Sequence, residues 1–226
     1  MSRGQNGWQG VVARVARAAA AAGRNPATVR ILAVSKTFGP DAIRDVHASG
    51  ARAFGENYVQ EALAKISALC DLSDIEWHLV GPLQSNKARL AAEAFAWVHG
   101  VDRLRIAERL SASRPATLPP LEVCVQVNIS GEATKSGVAP EEAPALARHV
   151  AALPRLRLRG FMGIAEPTEH VDRQRAQFRI ARDCLERCRG LDLDTLSMGM
   201  SGDLEAAIAE GATIVRVGTA IFGARS

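Results

Sequence analysis

The chain has 226 residues, of which 23% are charged and 47% belong to the hydrophobic set. This composition is typical of a folded globular protein and not of a disordered chain. The sequence contains no run of about 18 apolar residues, which excludes a transmembrane helix. The alanine run at 18–22 is too short and too weakly apolar for a signal peptide. We therefore expect a cytoplasmic protein.

The net charge is +4, from 28 basic and 24 acidic residues. The arginines are scattered and aromatic residues make up only 4%, so the sequence does not predict nucleic-acid binding. Arg155, Arg157 and Arg159 alternate along a predicted strand, which indicates one solvated face. Lysine is scarce, and it is the one basic side chain that forms a Schiff base with an aldehyde. The four lysines are Lys36, Lys65, Lys87 and Lys135.

The four cysteines form no CxxC pair, and no cluster of histidine and cysteine has zinc-ligand spacing. Cys184 and Cys188 are spaced to lie on one face of a helix. We predict no metal site and expect buried structural thiols.

Short apolar runs alternate with longer helical patterns along the whole chain. A first helix is predicted over 8–22 and ends at Gly23. Eight strands are predicted at 29–35, 51–55, 75–80, 97–101, 121–129, 156–164, 195–198 and 212–217. Helices are predicted between them at 41–49, 58–69, 86–94, 103–113, 140–153, 170–189 and 203–210.

Eight strands that alternate with helices predict parallel pairing through right-handed crossovers. The predicted fold is α/β, a single (β/α)₈ TIM barrel over residues 1–226 with an extra N-terminal helix. A doubly wound open sheet is the alternative. Such a sheet would more often use about five to seven strands, and no GxGxxG turn follows the first predicted strand.

In a barrel, functional residues lie at the carboxyl ends of the strands and in the loops that follow. Lys36 comes directly after the first predicted strand, in the sequence AVSK. An amine that is partly desolvated at a barrel mouth has a lowered pKa and is a nucleophile toward aldehydes. The alternative is a lysine that merely extends from a strand end into solvent.

The loops after the seventh and eighth strands, SMGMSGD and RVGTAIFG, both contain glycines. Ser201 lies near the predicted start of a helix, and Gly218 and Thr219 follow the last strand. Backbone N–H groups in such places bind anions, and barrels often bind phosphate between these two loops. For either loop alone, a turn that caps a helix is the alternative.

Arg216 lies in the otherwise apolar segment IVRVG, where a charge is costly without a partner. The partner would be a phosphate, a carboxylate or a ring nitrogen, and a structural ion pair is the alternative. The amine, the phosphate loops and the buried guanidinium together predict pyridoxal 5′-phosphate. Because arginine does not give up its proton, the ring nitrogen would stay unprotonated and the ring would be a poor electron sink.

Seven motifs resemble, in order, those of the pyridoxal phosphate homeostasis protein family. They are AVSKTFGPDAI, FGENYVQE, WHLVGPLQSNK, QVNISGEATKSG, GFMGI, LSMGMSGD and VRVGTAIFG, and they cover about Ile31 to Gly223. The resemblance implies a barrel like the alanine racemase N-terminal domain and an aldimine at Lys36. It also implies phosphate contacts near Ser201, Gly218 and Thr219, and Arg216 facing the pyridine nitrogen.

The same resemblance implies that Asn57 lies close to the cofactor and that Met162 and Ser197 line the pocket. The sequence assigns no role to four further polar residues, namely His78, Lys87, Asn128 and Lys135. Lys87 and Lys135 are hypothetical second acceptors of the aldehyde during transfer.

The function implied is intracellular homeostasis of pyridoxal phosphate by a protein with no catalytic residues, which releases the cofactor to apoenzymes. We expect no nucleic-acid or membrane partner, and a monomer in preference to a dimer. The alternative is a racemase-like enzyme. Racemases resembling this barrel carry a second domain with an opposing tyrosine, whereas here Tyr58 is the only tyrosine and the chain ends nine residues after Val217. A Schiff-base aldolase acting on a sugar phosphate is a third possibility.

Overall fold

The computed structural model describes residues 2–132 and 135–224. Its strands form a closed barrel in the order β1 to β8, and each strand pairs in parallel with its neighbours. The strands are β1 (Arg30–Val34), β2 (Ala53–Glu56), β3 (Glu76–Leu79), β4 (Trp97–Val101), β5 (Leu121–Val127), β6 (Leu156–Gly163), β7 (Thr195–Ser197) and β8 (Ile214–Val217).

A helix follows each strand, and one more precedes the barrel. The helices are α1 (Arg3–Ala21), α2 (Pro40–Ala48), α3 (Val59–Ala68), α4 (Ala88–Ala94), α5 (Leu104–Ser113), α6 (Ala143–Ala151), α7 (Val171–Glu186), α8 (Leu204–Ala209) and α9 (Thr219–Phe222). The predicted (β/α)₈ barrel with an extra N-terminal helix is confirmed, and the open sheet is wrong. The short helix α9 was not expected after β8.

Helix α1 begins at Arg3, upstream of the predicted start at residue 8. Ser2 and Gln5 form a capping box, in which the Ser2 hydroxyl accepts from the Gln5 N–H and the Gln5 side chain accepts from the Ser2 N–H. Gly7 lets α1 approach α9, since a Cβ at this position would lie 2.2 Å from the Ile221 carbonyl oxygen. Helix α1 is therefore docked on the last element of the barrel.

The apolar core has two parts. The larger part fills the space between the barrel wall and the surrounding helices. The smaller part fills the barrel itself and includes Leu32, Trp97, Cys124 and Met162. The barrel is therefore a packed core and not a pore.

Charged side chains close the amino-terminal end of the barrel. Arg30 pairs with Glu76 at 2.6 Å. Arg159 pairs with Asp194 and Glu122, and its guanidinium lies 5.0 Å from the centroid of the Trp97 ring. Arg159 departs from the expected solvated face, since its side chain is only 21% exposed and packs over the Trp97 ring.

Of the four cysteines, three are buried as expected and Cys70 is exposed. Within the described residues, no group of three or more histidine, cysteine, aspartate and glutamate side chains is placed to hold a metal ion.

No helix in the described part of the chain has the length and apolar character needed to span a membrane.

Gly160 is the backbone position where β6 shifts its register against β5. Its φ is +152°, and a Cβ there would lie 1.9 Å from the Thr195 carbonyl oxygen. We expect Gly160→Ala to lower the free energy of unfolding by about 3 kcal/mol, because backbone would have to move. Urea denaturation followed by circular dichroism measures the change.

The matched control is Gly10→Ala, at an exposed position within α1 where a Cβ meets no atom within 4 Å. This substitution should raise the free energy of unfolding by about 0.5–1 kcal/mol, since alanine is the better helix former. Equal unfolding free energies for the two variants would contradict the strain assigned to Gly160.

Candidate functional site

A cavity of about 290 Å³ opens at the carboxyl-terminal mouth of the barrel. Six of the eight predicted site residues line it, and they are Lys36, Asn57, Ser201, Arg216, Gly218 and Thr219. A second cavity, of about 450 Å³, lies at the opposite end of the barrel among the paired charges of Arg30, Glu76 and Arg159. The mouth cavity lies at the end where barrels carry their functional sites.

Met162 and Ser197 lie deeper than the sequence interpretation placed them. Both side chains are fully buried, and they sit opposite each other on β6 and β7. Met162 belongs to the apolar filling of the barrel. Ser197 contacts the cavity indirectly, because its hydroxyl oxygen accepts from Arg216 Nη1 at 2.9 Å.

Lys36 lies half-buried in a tight turn at the end of β1. The next residue, Thr37, has a φ of +71°, which is a left-handed conformation that a non-glycine residue adopts at a cost. Two hydrogen bonds hold the turn. Phe38 N–H donates to the Ser35 carbonyl at 3.0 Å, and Thr37 N–H donates to Glu61 Oε1 at 2.6 Å.

A buried ion cluster lies under this turn. Lys65 is 5% exposed, and its Nζ donates to both oxygens of Glu56, at 2.8 and 2.9 Å. It also donates to Glu61 Oε1 at 2.7 Å and to the Ser35 carbonyl at 2.8 Å. Lys65 therefore ties the backbone before Lys36 to the carboxylate that holds the backbone after it.

The two carboxylates of the cluster differ in burial and hence in pKa. Burial raises the pKa of Glu56, although Lys65 and the Ser35 hydroxyl act against it. Burial also acts to raise the pKa of Glu61, but hydrogen bonds from Lys65 and Thr37 outweigh it, so the net pKa lies below the usual range. The sequence interpretation left Lys65 without a role, although its scarcity as a lysine was a usable signal.

The two predicted phosphate loops meet at the cavity. Ser201 Oγ in the first loop accepts from the N–H of Ala220 in the second loop at 3.3 Å. The first loop is closed by Asp203, the residue before α8, whose carboxylate accepts from the Met200 N–H. Gly218 passes close to β1, since a Cβ there would lie 3.1 Å from the Val34 carbonyl oxygen.

Helix α1 holds the first loop from outside the barrel. Arg14 Nη1 donates to the Ser201 carbonyl at 2.7 Å, and the same guanidinium forms a bidentate pair with Glu205 at the start of α8. No sequence motif marked Arg14, because its partners lie about 190 residues away along the chain.

Arg216 is 5% exposed and faces the cavity from β8. Its Nη1 donates to the carbonyl and hydroxyl oxygens of Ser197, and its Nη2 donates to the Gly163 carbonyl at 2.9 Å. Within the described residues it forms no ion pair, so the structural ion pair considered from the sequence is not observed. Burial lowers the pKa of Arg216 to about 10, which leaves the guanidinium charged at neutral pH.

The histidine of the third strand is a core residue. His78 is fully buried, its Nε2 lies 2.7 Å from Glu76 Oε1 and its Nδ1 lies 2.9 Å from His99 Nε2. His99 Nδ1 in turn lies 2.8 Å from Ser197 Oγ. Sequence reasoning missed His99, a polar residue within the apolar strand WVHGV.

The other three residues with open roles lie outside the cavity wall. Asn128 organises the loop after β5, donating to the Glu132 carbonyl at 2.8 Å and accepting from Ser130 and Gly131. Lys87 lines a neighbouring cavity of about 380 Å³. Lys135 lies 3.9 Å from the Glu132 carboxylate. Residues 133–134 of the same motif lie outside the described residues.

Comparisons of sequence and of structure relate the chain to the same group of proteins. The family model described as alanine racemase, N-terminal domain, matches residues 11–226. The pyridoxal phosphate homeostasis protein of Pseudomonas aeruginosa is 63% identical over 215 residues, covering 95% of this chain and 93% of the relative. That of Escherichia coli K12 is 52% identical over 219 residues, covering 94% and 92%.

Two solved structures extend the comparison. PipY of Synechococcus elongatus, solved with PLP bound, is 40% identical and superposes with a TM-score of 0.81, covering 92% of this chain and all of the other. Alanine racemase of Corynebacterium glutamicum is 18% identical with a TM-score of 0.69, covering 96% of this chain and 62% of the racemase. The second likeness is one of fold alone.

The buried histidines make stability depend on pH. Burial lowers the pKa of His78 to about 4 despite the pull of Glu76, and it lowers the pKa of His99 well below its usual 6.5. Both rings are therefore neutral when folded, whereas the unfolded chain binds protons below about pH 6.5. Their stabilising contribution is complete above that pH and is lost as the pH falls toward 4. When the pH falls from 7 to 5, the titration of His78 alone should lower the free energy of unfolding by about 2 kcal/mol.

Urea denaturation at pH 7, 6 and 5 measures this loss. A protein with His149→Gln, a change at an exposed ring, should show the same pH dependence as the unchanged chain. An unfolding free energy that stays flat between pH 7 and pH 5 would show that the buried rings are not neutral in the fold.

Proposed function

Because the chain belongs to the pyridoxal phosphate homeostasis protein family, we propose that it binds pyridoxal 5′-phosphate at Lys36, limits the free aldehyde and passes it to apoenzymes. We propose further that the whole chain acts as one cofactor-binding domain. The observation that carries the proposal is the mouth cavity, which brings together a lysine amine, two glycine-containing loops and a buried guanidinium.

The residues of the cavity fit this cofactor. Arg216 is charged, faces the cavity and forms no ion pair among the described residues, so an acceptor atom of a ligand can complete its hydrogen bonds. Gly218 approaches the Val34 carbonyl so closely that a side chain would crowd the loop. Pyridoxal 5′-phosphate supplies an aldehyde that condenses reversibly with a primary amine.

Each side chain then has a defined task. Lys36 presents its Nζ from a turn that the Lys65 cluster holds. Ser201, Gly218 and Thr219 would bind the phosphate, and Asn57 lines the same cavity. Arg216 would donate to the ring nitrogen and, since a guanidinium keeps its protons, would leave that nitrogen unprotonated.

This arrangement favours a carrier over a racemase. An unprotonated ring nitrogen withdraws electrons poorly and supports carbanion formation only weakly. Racemisation needs a proton donor or acceptor on each face of the substrate, and the single tyrosine, Tyr58, is 60% exposed. Ile164 and Met200 at the rim are 38% and 36% exposed, so water reaches the mouth, which favours exchange of a bound aldehyde.

The attachment residue can be identified chemically. After incubation with pyridoxal phosphate and reduction with borohydride, we expect a stable adduct that peptide mass spectrometry places on Lys36. Lys36→Arg keeps the charge but cannot react with the aldehyde, so it should lose the adduct and the visible absorbance. Lys87→Arg is the matched control and should still carry the adduct on Lys36.

A colourless protein that takes up no cofactor would overturn the proposal and favour an aldolase that uses the lysine directly. Incubation of the loaded protein with L-alanine tests the alternative activity, and we expect the L enantiomer to persist. Accumulation of D-alanine would make the protein a racemase.

Retention of the cofactor should depend on Arg14, which holds the Ser201 carbonyl from outside the site. We expect Arg14→Ala to speed dissociation of pyridoxal phosphate about tenfold, because one hydrogen bond to a charged group is lost from the phosphate loop. Transfer to an excess of apoenzyme, followed by the gain of enzyme activity, measures the rate.

Arg17→Ala, one turn further along α1 and exposed, is the matched control and should leave the rate unchanged. Equal rates in the two variants would show that the loop does not depend on α1.

A further inference from the structure

A continuous chain of hydrogen bonds runs through the barrel from its amino-terminal end to the mouth cavity. Glu76 contacts His78 at 2.7 Å, His78 contacts His99 at 2.9 Å, and His99 contacts Ser197 at 2.8 Å. Ser197 Oγ then accepts from Arg216 Nη1 at 2.9 Å. These residues come from β3, β4, β7 and β8, so the chain crosses the interior rather than following one strand.

The direction of the bonds follows from proton counting. Burial acts to raise the pKa of Glu76, but His78 and Arg30 bring it down to about 2, so the carboxylate only accepts. His78 Nε2 must therefore donate to it. A neutral His78 then has a bare Nδ1, which accepts from His99 Nε2.

The same counting continues to the cavity. A neutral His99 that carries its proton on Nε2 has a bare Nδ1, so the Ser197 hydroxyl donates to it. The Ser197 oxygen is then left to accept from Arg216 Nη1. Both nitrogens of each ring and the Ser197 hydroxyl proton are then used, and all the bonds point from Arg216 toward Glu76.

Hydrogen bonds that point the other way, from Glu76 toward Arg216, are unfavourable because Glu76 is an ionised carboxylate. They would place the bare Nε2 of His78 2.7 Å from an ionised oxygen of Glu76, with no proton between them. The charged groups around the path are Arg30, which pairs with Glu76 at 2.6 Å, Arg216 itself, and Asp203, whose carboxylate interacts with the charge of Arg216. Glu76 is thus the carboxylate to which Arg216 is joined across the barrel, through two neutral rings and a hydroxyl.

We infer that Glu76, His78, His99 and Ser197 are positioning residues that set how Arg216 faces a bound ligand. The carboxylate fixes the tautomer of both rings, the rings fix the rotation of the Ser197 hydroxyl, and the hydroxyl holds Arg216 Nη1. Only the last step, the contact of Arg216 with the cofactor ring, rests on the proposed function. The amino-terminal end of the barrel is thereby coupled to the cofactor site.

Nitrogen NMR of the protein labelled with ¹⁵N-histidine tests the path without any cofactor. We expect both buried rings to be neutral with the proton on Nε2. We also expect a scalar coupling between His99 Nε2 and His78 Nδ1 across their hydrogen bond. A proton on Nδ1 of either ring, or a doubly protonated ring, would overturn the inference.

Glu76→Gln separates the charge from the hydrogen bond. A glutamine side chain can accept from His78 Nε2 or donate to it, so both directions of the path become available. We expect signals from both tautomers of His78 and His99. The dissociation constant for pyridoxal phosphate should rise about fivefold, as a hydrogen bond to Arg216 is weakened, with a shifted absorbance of the bound cofactor.

Glu122→Gln is the matched control. Glu122 lines the same amino-terminal cavity and pairs with Arg159, but it takes no part in the path. It should keep a single tautomer, the affinity and the spectrum. If the two variants behave alike while Lys36 still carries the cofactor, the inference fails and the proposed function stands. If the unchanged protein takes up no cofactor, the proposed function fails and the NMR experiment still decides the path.

Discussion

The parallel pairing of β1 with β8, which closes the barrel, is the constraint on which the site depends. Leu32 lies opposite Arg216 and Ala33 opposite Val217 in this pair. The turn that carries Lys36 and the loop that begins at Gly218 therefore emerge side by side, although they come from opposite ends of the barrel sequence. An open sheet with the same strands would leave the amine at one edge and the buried arginine at the other. Closure of the barrel thus brings the two backbone segments of the site together, whatever side chains they carry.

Charges at the mouth are partly desolvated, and the fold satisfies them in two ways. Under Lys36, a lysine and two carboxylates form a compact cluster in which each member has a partner within 3 Å. Arg216 forms no ion pair among the described residues, although Asp203 interacts with its charge at longer range, and neutral groups connect the guanidinium to Glu76. A compact cluster holds backbone firmly, as the strained Thr37 requires. A neutral chain orients the guanidinium and leaves its charge available to a ligand.

The strand count and the barrel were predictable because each strand is apolar and each is followed by a helical pattern. The rule that function lies at strand ends also located six residues of the cavity wall. Depth along the barrel axis was not predictable, since it depends on the stagger between strands, which no single strand encodes. This is why Met162 and Ser197 were expected in the wall and lie below it. The same limit hid His99, whose partners come from other strands, and Lys65, which meets Glu56 and the Ser35 carbonyl only when α3 packs against the barrel.

The supports of the site share one geometry that suits a protein that must both hold and release its ligand. Lys65 contacts the Lys36 turn from below, Arg14 contacts the Ser201 carbonyl from outside, and Ser197 contacts Arg216 from within the barrel. Each acts on a cavity residue from the side away from the cavity, so none competes with a ligand for its contacts. Affinity then depends on how well the wall is held as well as on what the wall touches. Substitutions in the supports should therefore change the rate of ligand release without altering the attachment that we propose at Lys36.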